Sequence, residues 1–403
     1  MTSADPFKGT AFEGFRHVTD YREIENALKA RAAAPRRRPK ADHIEEGTLL
    51  KIHGDRHTHR RRLEGALFRP EVLEGYSRDV LAVTIDRVVD GLAAEKGPDG
   101  SVRVDLVSLG QRIVMEVTAQ IIGLDDFEGK GAEIYGLLED FTEGIKVEYS
   151  TGDQTEVIAR AQAAKRRYWE DYVKPARDRR AALLRNVDGA GAGATLPHDL
   201  ISLIVQDQDE QWDDDLLLRE CILYVVGAGA TTVALVAHTA VDFCRWLEKH
   251  PERAEKLDDE LLENAIAEAL RLHPPFIALV RDCLTSLEGA EFSFEAGETL
   301  FLDVGKANLD EGLFGACPRE FDPDREVQSQ VPRYGLSFGQ GRHFCIGRPM
   351  ALGGRGTGTS GSLFSILRKL LDSGMRLDPE QEPVLASSLE SRYAHVPVIF
   401  GRL

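Results

Sequence analysis

Apolar residues recur at three- and four-residue spacing through most of the first three-quarters of the chain, which predicts amphipathic helices. The clearest predicted helices are Thr19–Ala32, Thr155–Leu184 and Asp258–Leu272. Segments with strand character are few and short: Val102–Leu106, Glu291–Phe294, Thr299–Asp303 and Val396–Phe400. The pattern predicts a mainly α fold with small β-sheets, and no repeat or convincing boundary divides residues 1–403 into separate domains.

The longest apolar run, Cys221–Ala237, predicts a central helix. Its 17 residues are short for a membrane span, so we interpret it as a buried helix of the core. Gly227 and Gly229 inside it should each cost about 1 kcal/mol relative to alanine. Either a flat group approaches the helix backbone there or another helix packs closely against it, and the run by itself leaves both explanations open.

The net charge and the cysteine pattern exclude several classes of protein. The chain has 50 Lys+Arg against 67 Asp+Glu, a formal charge of −17, which argues against a general nucleic-acid or anionic-membrane binder. The first residues carry no signal-peptide pattern. The chain has five cysteines, with no Cys-x-x-Cys pair among them: Cys221, Cys244, Cys283, Cys317 and Cys345. We therefore expect no disulfide framework and no zinc site, and we expect the protein to reside in a reducing, cytoplasmic setting.

One cysteine lies in an unusual segment, because residues 338–347 read FGQGRHFCIG. Gly339, Gly341 and Gly347 allow the backbone to fold tightly around Cys345, so that N–H groups can donate to its sulfur. Those donors, and a helix beginning just afterwards, favour a thiolate. A single thiolate in a glycine-rich loop suits haem iron, since zinc and iron–sulfur clusters need several cysteines.

This segment resembles the haem-binding signature of the cytochrome P450 family, Phe-Gly-x-Gly-x-His-x-Cys-x-Gly. Other segments similar to the family's follow in the expected order: His57-Thr-His-Arg-Arg61, Glu268-Ala-Leu-Arg271, and Pro274-Pro275 leading to Arg281. The resemblance runs from about Thr19 to the C-terminus. It implies the cytochrome P450 fold, with haem between a long central helix and a Cys-bearing proximal loop. It also implies a single domain over residues 1–403 whose N-terminal helix and strand pair are shortened.

The resemblance also implies the site. The cofactor would be haem b, with Cys345 as the axial thiolate ligand of the iron. The residues assigned to cofactor binding are His57, Arg61, Gly227, Arg281, Phe338, Gly339, His343, Cys345 and Gly347. Four of them, His57, Arg61, Arg281 and His343, could partner the two buried haem propionates.

Three further groups of residues follow from the same resemblance. Thr231 falls on the family's catalytic threonine, and its hydroxyl can bond back to the carbonyl of Gly227. Glu268 and Arg271 are expected to brace the loop around Cys345. The expected substrate pocket includes Ile277, Ala278, Leu279 and Leu389.

The chain departs from the family at three places. Ala230 stands where an acid usually precedes the threonine, so the usual proton relay is incomplete. Glu320 stands where a basic residue often faces the Glu-x-x-Arg pair, and either Arg319 or Arg325 could substitute for it. Five glycines within residues 353–361 predict a weakened or broken helix after Cys345.

Three functions therefore stay open. The leading one is a haem-thiolate monooxygenase that oxidises an apolar small organic molecule with O2, as in hydroxylation during natural-product biosynthesis. Its electrons would come from a separate ferredoxin- or flavodoxin-type donor, docked at Arg62, Arg342 and Arg348. Ala230 motivates the second, a haem-thiolate enzyme for oxidative coupling, dehydrogenation or peroxygenation; the third is a non-catalytic haem sensor or carrier. We expect a cytoplasmic monomer with no nucleic-acid or membrane partner.

Overall fold

The computed structural model describes residues 8, 10–150, 152–190, 196–289, 292–354, 359–386 and 392–401, without the side chains of residues 186–190. Within these ranges the α-helices are α1 (Tyr21–Lys29), α2 (Asp42–Glu45), α3 (Gly54–Glu64), α4 (Pro70–Tyr76), α5 (Ala82–Gly91), α6 (Leu106–Ile122), α7 (Gly131–Lys146), α8 (Thr155–Tyr168), α9 (Lys174–Ala190), α10 (Leu200–Gln206), α11 (Asp214–Lys249), α12 (Pro251–Ala254), α13 (Asp259–Leu272), α14 (Val304–Ala307), α15 (Glu311–Phe314), α16 (Arg348–Leu352) and α17 (Ser362–Asp372). The strands are β1 (Arg16–Val18), β2 (Ala33–Pro35), β3 (Val102–Asp105), β4 (Ala278–Cys283), β5 (Thr299–Asp303), β6 (Met375–Leu377), β7 (Val384–Leu385), β8 (Tyr393–His395) and β9 (Pro397–Phe400).

The three predicted helices are confirmed, and local capping explains where two of them begin. Asp20 and Asp258 precede α1 and α13, and each side chain accepts the backbone N–H three residues further on. Asp213 caps the central helix α11 in the same way. The third predicted helix forms α8 and α9, which a π-helical turn at Trp169–Val173 joins.

The strands form three small sheets. Strands β1, β5, β4 and β2 lie in that order, with β1 parallel to β5 and the other pairs antiparallel. Strand β9 lies between β3 and β6, and β7 pairs with β8. Strand β1 lies before α1, in the segment where we expected the strand pair to be shortened.

The strand predictions have mixed outcomes. The predicted strand Thr299–Asp303 is β5, and two others form β3 and β9, each one residue shorter than predicted. The predicted strand Glu291–Phe294 is wrong for the part that the structure describes, because Phe294 makes only an isolated bridge to Leu287. Glu291 lies outside the described residues.

Helix α11 is the centre of the main hydrophobic core, where it contacts α6, α7, α13 and α17. Of the helices in the described ranges, it alone is long and apolar enough to cross a membrane by composition. Half of its most apolar window is buried inside the fold, as in the core helix of a folded domain. The central helix predicted from Cys221–Ala237 is therefore present, and it is longer at both ends.

A second, smaller core lies between α1 and the four-stranded sheet. Tyr21 and Ile24 of α1 are buried with Leu300, Leu302 and Phe314. This packing fixes the end of α1, which in turn contacts the loop that carries Cys345.

Candidate active site

The loop around Cys345 is held by backbone contacts that only glycine permits. Gly339 and Gly341 have φ angles of 66° and 69°, in the left-handed region. A Cβ at Gly341 would lie 2.4 Å from the carbonyl oxygen of Leu28, at the end of α1. The loop closes with the Cys345 N–H donating to the Phe338 carbonyl at 2.8 Å. Cys345 is therefore presented by a tight turn pressed against α1.

Two of the interactions predicted for the Cys345 sulfur are present. The backbone N–H groups of Gly347 and Arg348 donate to the sulfur, and the charges of Arg61 and Arg348 add to their effect. Burial nevertheless outweighs these interactions and raises the pKa of the Cys345 thiol. The backbone donors therefore favour the thiolate, as expected, but burial favours the thiol more strongly. The positive charge of a bound metal ion would shift this balance toward the thiolate.

The four cationic residues predicted from separate parts of the chain come together. The rings of His57 in α3 and His343 in the loop lie 4.0 Å apart, centroid to centroid. Arg61 donates to the carbonyl of Phe344 at 2.7 Å and stacks over its ring. Arg281 in β4 is 8% exposed and near enough to lower the pKa of His343.

No anion among the described residues balances this cluster. Within the described part of the chain, no carboxylate lies within 4 Å of the guanidinium of Arg61 or Arg281, and Arg281 donates to its neighbour's carbonyl, Val280. Burial and the neighbouring cations lower the pKa of His57 to about 4 and that of His343 to about 3. Burial alone lowers the pKa of Arg281 to about 10. The site therefore attracts negative charge.

The face of α11 at Gly227 and Thr231 is open, whereas the face at Gly229 is packed. A Cβ at Gly227 would meet nothing within 4 Å, but one at Gly229 would lie 2.3 Å from a methyl of Leu138. The Thr231 hydroxyl donates to the Gly227 carbonyl at 2.7 Å, as predicted. The two explanations left open for the glycines thus apply to different residues: close helix packing to Gly229, and an approachable backbone to Gly227.

Glu268 and Arg271 form a fully buried pair behind the Cys345 loop. Arg271 donates to both carboxylate oxygens of Glu268, at 2.8 and 2.6 Å, and also to the carbonyl of Asn308 at 2.8 Å. Asn308 in turn accepts the backbone N–H of Leu336, and Ser337 donates to the carbonyl of Leu270. The pair therefore lies where it braces the segment that leads into the loop.

The remaining predicted residues are placed as follows. Phe338 is partly buried and packs edge-to-face against Tyr334, with centroids 5.1 Å apart. Leu279 in β4 lies beside Gly339, since a Cβ there would be 3.7 Å from its methyl. Ile277 is 58% exposed just before β4, and Ala278 begins that strand. Leu389 lies outside the described residues.

Comparison with known proteins identifies the same family as the sequence motifs. The sequence model of the family described as "Cytochrome P450" matches residues 13–353. The chain belongs to the cytochrome P450 family.

Relatives of this P450 carry out several reactions. It is 31% identical over 209 residues to a steroid C26-monooxygenase of Mycobacterium tuberculosis (strain CDC 1551 / Oshkosh), and the alignment covers 50% of this chain and 52% of that protein. The chain thus spans about half the length of this relative. It is 25% identical to the biotin biosynthesis cytochrome P450 of Bacillus subtilis (strain 168), over 83% of this chain and 79% of the relative.

A solved structure supports the fold. P450BioI, in complex with hexadec-9Z-enoic acid ligated acyl carrier protein, superposes with a TM-score of 0.70 at 20% identity. The match covers 96% of this chain and 92% of that chain. The predicted mainly α cytochrome P450 fold is confirmed.

The cofactor of this family is haem, held through a cysteine thiolate, and the residues of this P450 fit it. Two arginines without carboxylate partners and two histidines that can donate hydrogen bonds match a ligand with two carboxylates: Arg61, Arg281, His57 and His343. Cys345 has exposed surface although protein atoms surround its thiol, and its sulfur receives two backbone N–H groups. The backbone of α11 at Gly227 is free to meet a flat ring system.

The sequence did not reveal a polar cluster next to the site. Arg60, Glu64 and Glu220 are fully buried between α3 and α11, and the Tyr224 hydroxyl donates to Glu64 at 3.1 Å. The signal available was Glu220, an acid directly before the longest apolar run. An acid at the start of a buried helix face requires a buried partner, but only the fold identifies Arg60 as that partner.

Proposed function

We propose that this P450 is a haem-thiolate monooxygenase that oxidises an apolar small organic molecule. The observation that carries the proposal is Cys345, a cysteine with exposed surface, beside two histidines and two arginines that have no anionic partner among the described residues. Haem bound there through the Cys345 thiolate supplies the chemistry of O–O bond cleavage.

Each predicted site residue has a role in this proposal. His57, Arg61, Arg281 and His343 hold the two haem carboxylates by ion pairing. Phe338, Gly339 and Gly347 shape the proximal side, where glycine leaves room for the sulfur. On the other side, Gly227 leaves space above the ring and Thr231 presents its hydroxyl to that space.

The substrate is inferred to be apolar from the side chains near the end of β4. Phe276 and Ile277 are 57% and 58% exposed, an unusual environment for two large apolar residues in succession. A steroid C26-monooxygenase among the relatives and a fatty-acyl ligand in P450BioI are consistent with an apolar substrate. Hydroxylation in natural-product biosynthesis is the setting that we propose.

Electrons would come from a separate ferredoxin- or flavodoxin-type donor. Arg62, Arg342 and Arg348 are exposed, and Arg348 and Arg342 flank Cys345 in sequence. A basic patch on a chain of net charge −17 would orient an acidic donor over the shortest route to the sulfur. We infer that the protein acts as a soluble, cytoplasmic monomer.

A second candidate function, oxidative coupling, dehydrogenation or peroxygenation, is favoured by Ala230. The residue before Thr231 supplies no acid to the open face of α11, and these reactions depend less on that acid. The product and the oxidant together separate the two candidates. A loss of two hydrogens indicates coupling or dehydrogenation. A gain of one oxygen atom indicates monooxygenation when it requires O2 and a reductant, and peroxygenation when hydrogen peroxide alone supports it.

The test is the absorption spectrum of the reduced, carbon-monoxide-bound protein. We expect the red-shifted Soret band of thiolate ligation, lost in Cys345→Ser and kept in the matched control Cys317→Ser, which changes another exposed cysteine. A band at the shorter wavelength of thiol or histidine ligation in the unmodified protein would overturn the proposal.

A further inference from the structure

A buried charge cluster links α3 to the central helix. Arg60, Glu64 and Glu220 each have no exposed surface. Arg60 donates through Nε to Glu64 Oε1 at 3.1 Å and through Nη2 to Glu220. The backbone N–H of Leu49 lies 3.2 Å from both oxygens of Glu220. Two carboxylates therefore share one buried guanidinium.

The charges around this cluster do not neutralise the second carboxylate. Trp212 covers the Arg60 guanidinium at 3.8 Å, and the nearest further acid, Glu210, lies 3.8 Å from Arg60 Nη1. Glu210 is paired with Arg56 at the surface. Arg61 is the other cation near enough to influence Glu64. With both carboxylates ionised, the buried group would carry an uncompensated negative charge, which is costly in a low-dielectric interior.

A shared proton relieves this imbalance. Burial first, and then repulsion by Glu220, raise the pKa of Glu64 well above its usual value, and burial raises the pKa of Glu220. The two carboxyl groups also hydrogen-bond to each other. The protonation of one carboxyl group therefore depends on that of the other, and the two form one coupled unit.

Tyr224 connects this unit to the open face of α11. Its hydroxyl lies 3.1 Å from Glu64 Oε2, the oxygen that Arg60 Nε does not use. Tyr224 precedes Gly227 by three residues and Thr231 by seven, so all three lie on one face of the helix. Two helical turns separate Tyr224 from Thr231, roughly 10 Å along the axis. Tyr224, Gly227 and Thr231 all retain exposed surface.

We propose that Glu64 and Glu220 store a proton that Tyr224 passes along the open face of α11 to the hydroxyl of Thr231. This route replaces the acidic residue that usually stands at the position of Ala230. It rests on the proposed function, because a relay is needed only if protons are consumed beside Thr231. For this step the Tyr224 hydroxyl turns from Glu64 toward water, and protonated Glu64 donates to the Tyr224 oxygen instead. The Glu64 proton then moves to the tyrosine oxygen while the hydroxyl proton passes to that water, so the tyrosine stays neutral. Glu64, then ionised, regains a proton from solvent on the side of Glu210.

The first experiment tests the stored proton without turnover. Infrared difference spectra of the resting protein in H2O and D2O at neutral pH should show the carbonyl band of a protonated carboxyl group. Both Glu64→Gln and Glu220→Gln should remove it, because one carboxylate paired with Arg60 needs no proton. Glu263→Gln, the same change at an exposed position on α13, should keep it. No band in the unmodified protein, or a band that survives both substitutions, would overturn the stored proton.

The second experiment tests the route. NADPH electrons, supplied through a surrogate ferredoxin and its reductase without organic substrate, divide between water and hydrogen peroxide. Reduction of one O2 to water consumes twice as many protons as its reduction to hydrogen peroxide. Tyr224→Phe should lower the water-to-peroxide ratio by about tenfold. This effect is smaller than the rate acceleration that a positioned general acid normally gives, because water can partly replace the tyrosine hydroxyl.

Three controls make the result specific. Tyr168→Phe removes the hydroxyl of a fully buried tyrosine on α8 that does not hydrogen-bond to Glu64 or Glu220, and it should leave the ratio unchanged. Adding Ala230→Asp to Tyr224→Phe should restore the ratio, which a purely structural role of Tyr224 would not allow. If Tyr224→Phe keeps the thiolate Soret band and the original ratio, the relay is wrong. If the unmodified protein lacks that band, the proposed function has failed instead.

Discussion

At the scale of single residues, Glu268 holds two buried guanidinium groups. Arg271 is its neighbour in α13, and Arg325 donates to Glu268 Oε1 at 2.9 Å from a distant loop. Arg325 is 6% exposed, and its remaining N–H groups donate to the carbonyls of Phe314, Ala316, Cys317 and Glu320. Arg319, the other candidate for this role, is exposed. The substitute for the family's basic residue is therefore Arg325.

This assignment predicts unequal effects of two arginine substitutions. Arg325→Ala should lower the free energy of unfolding by about 3–5 kcal/mol, because it leaves buried carbonyls unpaired and weakens the compensation of Glu268. Arg319→Ala should change it by less than about 0.5 kcal/mol. Urea unfolding followed by circular dichroism measures both. Equal losses in the two variants would contradict the assignment.

At the scale of elements, the helix after Cys345 is broken into two. Helix α16 ends at Leu352, Gly353 follows it with a φ of 69°, and α17 begins at Ser362. An isolated bridge between Gly353 and Ser360 brings the two ends together. The break predicted from the glycines is confirmed for the described residues, and the match to the family also ends at residue 353.

The close approach of the end of α16 to the start of α17 depends on Gly361. A Cβ there would lie 2.3 Å from the carbonyl oxygen of Ala351 and 2.5 Å from the N of Gly353. These are backbone atoms, which cannot rotate away as a side chain can. Gly361→Ala should therefore destabilise the protein by about 3 kcal/mol.

Gly75→Ala is the matched control, since a Cβ on this residue of α4 meets nothing within 4 Å. Alanine there should stabilise the protein by up to about 1 kcal/mol through helix propensity. Thermal unfolding of the two variants measures the difference. A Gly361→Ala variant as stable as the unmodified protein would show that the two helix ends do not approach as described.

At the scale of the whole molecule, α3, β4 and the Cys345 loop bring like charges to one place. If protonated, His57 and His343 would repel Arg61 and Arg281 unless an anion lay between them. Without haem, His57 avoids part of this repulsion by staying neutral, with its pKa lowered to about 4 by burial and then by Arg61. The fold at this site is therefore completed by its anionic ligand.

The haem-free protein should accordingly lose stability in mild acid. The unfolded chain protonates His57 below about pH 6.5, whereas the folded chain does so only near the lowered pKa of about 4. The contribution of His57 to the free energy of unfolding is fully present above the pKa of the unfolded chain, about 6.5. It is lost as the pH falls from that pKa toward the folded-state pKa of about 4. From about pH 7.5 to pH 5 the loss should be about 2 kcal/mol.

Urea unfolding of the haem-free protein at both pH values measures this loss, with His57→Gln as the control. The variant should lose about 2 kcal/mol less than the unmodified protein over the same interval. Haem should reduce the loss as well, because its carboxylates favour the protonated imidazole. Identical pH dependence in the variant and the unmodified protein would show that His57 is not held neutral.

The sequence by itself determined the features that depend on near neighbours. Helices α1, α11 and α13 follow from apolar spacing and an aspartate cap, and the loop around Cys345 follows from glycines that must adopt positive φ. The tertiary structure alone decided which side chains meet from distant segments. It selected Arg325 over Arg319, separated the roles of Gly227 and Gly229, and joined Glu64, Glu220 and Tyr224. It also formed β1, β2 and β6, whose three residues each are stabilised by partners far along the chain. Such contacts depend on where the elements pack in space, and the local sequence pattern does not encode that arrangement.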